Sequence, residues 1–132
     1  MNKANKFNNR YKNNNDVFIH VRLGDVSEHN PGFEYYNKVL SQLNFENGYI
    51  ASDSLEHDTC KKLITKYNLK VIDYNEVETI MFGSTCKYIV LSGGSFSYII
   101  GLFGFFSKVF YTKGGNKWYP DELYMIDDWL EV

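Results

Sequence analysis

Cysteine is scarce in this sequence. Cys60 and Cys86 are the only two. They form no CxxC pair and have no histidine at ligand spacing, which argues against a structural zinc site. Both read as reduced, part-buried thiols of a cytosol-like compartment, with a disulfide between them as the alternative. An excess of charge is also missing: 14 Lys and Arg stand against 16 Asp and Glu, for a net charge of -2. No chain-wide basic field exists to attract nucleic acid or an anionic membrane, so an anion site has to be built locally from a few placed groups. Long apolar runs are lacking as well. The longest, around Phe96 to Phe106, is short of the roughly 20 residues that span a bilayer. The N-terminus has no apolar core of signal-peptide length, and the chain reads as soluble or cytoplasmic, with no membrane span.

What is present is a core. Hydrophobic residues make up 44 % and aromatics 17 % of 132 residues, enough for one folded domain and more than a disordered chain carries. Residues 1–15 stand apart, with seven Asn, four Lys or Arg and no acid. Asparagine competes with backbone hydrogen bonding, so this stretch reads as a flexible Asn/Lys-rich lead-in or the stub of an upstream segment. The folded domain is expected over 16–132.

Within that domain, short apolar runs alternate with helical spacings. Val17–Val21, Gly48–Ser52, Leu69–Ile72, Tyr88–Leu91 and Val109–Tyr111 have the length and composition of buried strands. Between them, Phe33–Leu43 places Phe33, Tyr36, Val39, Leu40 and Leu43 at helical spacing. A helix from Leu55 to about Tyr67 is expected with Ser54 as its cap, a short one over Glu76–Thr85, and a deeply buried one over Ser95–Phe106. This alternation predicts an α/β fold: a Rossmann-like parallel sheet of about five strands, order 3-2-1-4-5, flanked by helices. In that order strands 1 and 4 are neighbours at the switch point, where ligands bind beyond the carboxyl ends of strands.

Two loops then face one crevice. Gly93-Gly94-Ser95 lies between a strand and a helix start, where glycines admit close backbone approach and free N–H groups favour phosphate; a plain turn with Ser95 as N-cap is the alternative. Arg22 follows strand 1 and can fork onto phosphate oxygens or stabilise charge on a departing diphosphate. It can equally pair with Asp25 at the turn, and the two roles are compatible. His20 points into the sheet or toward a bound base. Asp53, after strand 2, reaches a ribose or base edge or caps the helix entry. Glu28 and His29 serve as a base for an incoming hydroxyl or belong to a solvated loop.

These residues carry a family resemblance. His20-Val21-Arg22-Leu23-Gly24-Asp25 resembles the HxRRxD motif of α-1,2-, α-1,6- and protein O-fucosyltransferases, and is most similar to that of glycosyltransferase family 11. Tyr49-Ile50-Ala51-Ser52-Asp53 resembles that family's second motif. The stretch from Cys86-Lys87 through Ser92-Gly93-Gly94-Ser95-Phe96-Ser97-Tyr98 resembles its third, and Lys117-Trp118-Tyr119 with Asp128–Val132 its C-terminal end. The motif's second Arg is Leu23 here, its usual Asn-Ser is Gly93-Gly94, and its aromatic pair is Tyr98-Ile99. The resemblance implies the C-terminal, donor-binding half of a GT-B fold, and inverting transfer of fucose from GDP-fucose to a glycan hydroxyl. No metal or other cofactor is implied. By position, Arg22 binds the diphosphate, Gly94, Ser95 and Phe96 line its other side, His20 and an acid near Glu78 approach the guanine, and Asp25 and Asp53 support the nucleotide. Arg22 and Glu28 are the candidate catalytic residues. A GT-B enzyme also needs an acceptor-binding half, expected from a partner chain or an upstream segment. A catalytically incomplete nucleotide-sugar-binding module is therefore the alternative to a transferase domain.

Overall fold

A computed structural model gives the fold and describes residues 7–21, 32–53, 55–92, 100, 103–104, 107–111 and 129–131. Among the described residues, six strands form one sheet: β1 Asp16–Val21, β2 Asn47–Ser52, β3 Lys70–Val71, β4 Tyr88–Val90, β5 Lys108–Tyr111 and β6 Trp129–Glu131. Their order is β3-β2-β1-β4-β5-β6, and every neighbouring pair is parallel. The expected 3-2-1-4-5 order is therefore present, with a sixth strand added at the β5 edge. Three residues of Trp129–Glu131 are too few to show a strand's alternation, so only pairing with β5 marks them as one.

Helices α1 (Phe33–Leu40), α2 (Asp58–Tyr67) and α3 (Glu76–Gly83) link the strands. Strand alternation sorts the core into two layers. Val17, Ile19 and Val21 of β1 join Tyr36, Val39 and Leu40 of α1 and Cys60 and Leu63 of α2 on one face. Phe18 joins Phe82, Ile89, Leu91 and Val109 on the other, together with Ile100 from within the expected Ser95–Phe106 helix. All six residues of β1 are buried, as expected of a central parallel strand covered on both faces. Full burial of each Val, Ile, Leu or Phe here contributes about 1.5–3 kcal/mol. Gly83 brings the end of α3 down onto the sheet: a Cβ there would lie 2.8 Å from the Phe18 ring.

Several boundaries differ from expectation. α1 ends at Leu40 rather than Leu43, because Gln42 and Leu43 donate to Val39 and Leu40 in tight turns. α2 starts at Asp58, not Leu55. Its cap is His57, whose ring Nδ1 accepts from the Thr59 N–H at 3.1 Å; histidine is an uncommon cap, and the more usual Ser54 drew the expectation upstream. α3 stops at Gly83, where Thr85 and Cys86 fold back onto Phe82 and Gly83. Cys60 and Cys86 are free, buried and in different layers, which excludes the disulfide between them.

The largest departure is at the N-terminus. Residues 7–15, expected within the flexible lead-in, are bonded to the domain. Asn8–Arg10 form a 3-10 turn, and Phe7 packs edge-on against Phe82, ring centres 5.4 Å apart. Asn14 donates to the Thr85 carbonyl at 2.9 Å and accepts from the Lys87 N–H at 3.1 Å. Arg10 reaches Asp16 at 2.7 Å and lies 4.6 Å over the Phe82 ring. The asparagines that disfavour regular structure act here as substitutes for backbone partners.

Candidate functional site

A cavity with a volume of about 380 Å³ opens at the carboxyl ends of β1, β2 and β3. Its lining follows from the topology. His20 stands one residue before the end of β1, Ala51 and Ser52 end β2, Asp53 follows it, Ile72 follows β3, and Glu76 and Thr79 begin α3. Tyr74 completes the wall and is 41 % exposed, leaving ring area at the mouth. The β3–α3 connection is fixed locally: Asn75 Oδ1 caps α3 by accepting from the Glu78 N–H at 2.8 Å, and Thr79 Oγ1 donates back to the Asn75 carbonyl at 2.8 Å. Ile72 is held by its N–H donating to the Ile50 carbonyl at 2.9 Å.

His20 is buried, and its Nδ1 lies 3.2 Å from Ser92 Oγ. Ser92 directly follows β4 and its neighbour Leu91, so this bond crosses the switch point between β1 and β4. The His20 side chain is thus buried and also lines the cavity. Two adjacent tyrosines of α1 secure the same rim. The Tyr35 hydroxyl lies 2.7 Å from the Leu91 carbonyl and 3.2 Å from that of Phe110, while Tyr36 reaches the His20 carbonyl at 3.5 Å. Burial holds the Tyr36 hydroxyl well above its ordinary pKa, so it remains a proton donor.

Among the expected site residues, His20 and Asp53 line the cavity. Glu78 is not among its lining residues; the acid there is Glu76, two positions earlier on α3. Arg22, Asp25, Glu28, Gly94, Ser95 and Phe96 lie outside the described residues, as do His29 and Gly93. Sequence reasoning missed Tyr35, Tyr36, Tyr74 and Glu76, and gave Ser92 only a place in the third motif. Tyr36 was visible only as one apolar position of a helix; the tandem Tyr35-Tyr36 at a helix start above the sheet is the signal that could have marked a rim role.

Asp53 and Glu76 bring carboxylate oxygens to the cavity and Ser52 and Thr79 bring hydroxyls, with Ile72, Ala51 and the Tyr74 ring as apolar surface. A flat, hydrogen-bond-donating ligand of nucleoside size suits such a lining. No group of His, Cys, Asp and Glu among the described residues is arranged to hold a metal ion. No helix among them is long and apolar enough to cross a membrane.

Comparison with known proteins finds no matching family model, no similar curated protein and no matching solved structure. The fold is a parallel α/β sheet of Rossmann-like kind, and fold alone does not choose a reaction.

Proposed function

We propose that this domain binds a nucleoside-diphosphate sugar, GDP-fucose by the motif resemblance, at the carboxyl end of its sheet. The observation that carries the reading is the cavity at the ends of β1–β3 with His20, Asp53 and Glu76 on its wall. It lies beside the switch point, where open parallel sheets bind nucleotides. The nucleoside occupies this cavity. The diphosphate lies across the switch point, where the sequence supplies Arg22 after β1 and Gly93-Gly94-Ser95 after Ser92. Arg22 neutralises the phosphates through paired N–H donors.

Binding is the better-supported half of the reading. Transfer of fucose needs a second wall to hold the glycan acceptor, and the described residues form one sheet with its helices. Transferase activity, with Arg22 stabilising the departing diphosphate and Glu28 accepting the acceptor's proton, is the extended form of the proposal. Calorimetry with GDP and GDP-fucose tests the core of it. Saturable binding that Arg22→Ala weakens at least tenfold is expected. No heat from either ligand would sink the reading, and equal affinity for GDP, ADP and UDP would remove the guanine assignment. A radiolabelled transfer assay against a glycan panel then separates a transferase from a binding module.

A further inference from the structure

Three aromatic rings meet at Tyr74, on the wall of the cavity. Phe7 lies 5.7 Å from Tyr74, centre to centre, with the ring planes 38° apart. Phe82 lies 5.8 Å from Tyr74 at 63° and 5.4 Å from Phe7 at 81°. The rings close a triangle of tilted and edge-on pairs, the arrangement that ring quadrupoles favour. They come from the N-terminal segment, from the connection between β3 and α3, and from the last turn of α3.

The triangle is anchored. Phe82 is buried, with the Tyr49 ring edge-on at 4.9 Å and the Arg10 guanidinium 4.6 Å from its centre. The Tyr74 backbone is tied as well: its carbonyl accepts from Thr79 Oγ1 at 3.3 Å, and the next residue, Asn75, caps α3. A tyrosine has only two side-chain torsions, and packing on two other rings restricts both, so a ligand that meets this ring orders little that is not already ordered. Tyr74 nonetheless keeps 41 % of its surface exposed while lining a cavity of nucleoside size. An aliphatic side chain would shield Phe82 equally well; a broad, braced and partly exposed ring offers in addition a flat apolar surface that suits the face of a base.

We propose that Tyr74 is the stacking platform for the base of the ligand, and that Phe7 is a positioning residue that braces it. The inference rests on the nucleotide reading above and adds to it the group that recognises the base. Every base has a π-face, so the platform accepts all of them, and the larger purine gains more from it than a pyrimidine. A diphosphate without a base gains nothing. Residues 7–15 thus serve both ends of the sheet, with Arg10 at the amino end and Phe7 beside the cavity.

Calorimetry on the full chain with GDP, ADP, UDP and inorganic pyrophosphate tests both roles. Tyr74→Ala is expected to weaken GDP and ADP about tenfold or more, the scale of one lost base stack, to weaken UDP less, and to leave pyrophosphate unchanged. Tyr74→Phe keeps the ring and is expected to stay within about twofold of wild type. Phe7→Ala is expected to weaken GDP about threefold and spare pyrophosphate; Phe7→Leu takes its place if Phe7→Ala does not fold. A merely structural role would lower the melting temperature and weaken all four probes alike, and that outcome overturns the proposal. A folded Tyr74→Ala chain that binds GDP and ADP like wild type overturns the platform and leaves the nucleotide reading standing. Unchanged GDP affinity in the Phe7 variant overturns the brace. ADP or UDP bound through Tyr74 without any binding of GDP supports the platform and sinks the GDP-fucose assignment, and no binding of any nucleotide sinks both. Should Tyr74→Ala fail to fold, the wild-type complex decides by NMR. Nuclear Overhauser contacts are expected between the base H8 of bound GDP and the Tyr74 ring, identified among the 11 tyrosines by Tyr74→Phe; their absence at saturation overturns the platform.

Discussion

The two ends of the sheet use the same residue types for opposite purposes. At the amino end, Asp16 is buried, and its carboxylate is matched by Arg10 at 2.7 Å and by Asn47 Nδ2 at 3.2 Å. Arg10 also reaches Thr85 Oγ1 at 3.0 Å and spreads over the rings of Phe82 and Tyr49. Protein answers protein there, with the buried Asn15 Oδ1 as an exception among the described residues. At the carboxyl end, Asp53 and Glu76 line a cavity instead. A buried polar group has to be satisfied, and the amino end is satisfied on folding; Asp53 and Glu76 at the carboxyl end are exposed on the wall of an open cavity and carry no such demand. Substitutions at the amino end are therefore expected to cost stability and spare binding, and those at the carboxyl end the reverse.

The largest expected effect breaks the amino end. Arg10→Ala leaves the Asp16 carboxylate buried with its main partner gone, which costs about 2–4 kcal/mol given that Arg10 is partly exposed. Urea denaturation measures the loss, and nucleotide affinity corrected for unfolded protein is expected to be unchanged. A loss below about 1 kcal/mol would make the clasp ornamental. Next comes Gly83→Ala. The gain in helix propensity is outweighed because the new Cβ meets the fully buried Phe18 ring at 2.8 Å, for a net loss of about 1–2 kcal/mol. Gly83→Ala with Phe18→Leu is expected to recover part of it.

The amino end also carries a pH signature. Burial pushes the Cys86 thiol up to about 12, against the nearby Arg10, which lowers it. The folded chain thus holds this proton where the unfolded chain has released it. The thiol's contribution to stability is complete below the unfolded value of about 9 and is lost as pH rises toward 12. The slope from this one group is at most about 1.4 kcal/mol per pH unit. Urea melts at about pH 8 and about pH 10.5 are expected to show that loss, and Cys86→Val to reduce it. An identical alkaline loss in Cys86→Val would assign it to other groups, such as Tyr36, which burial also raises.

The fold was legible because the strand signals are strong. Val17-Phe18-Ile19 and Tyr88-Ile89-Val90-Leu91 are apolar runs with nothing else to be, and their alternation with helical spacings fixes a parallel order. β6 was not legible, since its existence rests on pairing with β5. The cavity wall was half legible. Asp53 and His20 stand at strand ends, where position alone recommends them. Glu76 and Glu78 sit on the same helical turn, and the choice between them depends on how Asn75 sets the phase of α3 above Ile72, a tertiary matter. Tyr36 and Ser92 were hidden because hydroxyl contacts between α1 and the end of β4 leave no trace in local periodicity. The lead-in was misread for a related reason: Asn14 and Arg10 find their partners at Thr85, Cys86 and Lys87, more than seventy positions away.

The smallest predicted effect asks which acid belongs to the cavity. Glu76 and Glu78 both occupy the first turn of α3, so neutralising either removes a similar favourable interaction with the helix N-terminus, about 0.3–1 kcal/mol. Stability cannot tell them apart, but binding can. Glu76 lines the cavity, as does Asp53, so Glu76→Gln and Asp53→Asn are each expected to weaken GDP about three- to tenfold through one charge-assisted hydrogen bond to a ligand donor. Glu78→Gln is expected to leave affinity unchanged, because Glu78 is not among the residues that line the cavity. The reverse pattern would return the guanine contact to Glu78 and would mean that the turn from β3 into α3 rearranges when the nucleotide enters. The matched pair on one helical turn holds net charge and helix-end electrostatics constant, so any difference between them comes from where the carboxylate points.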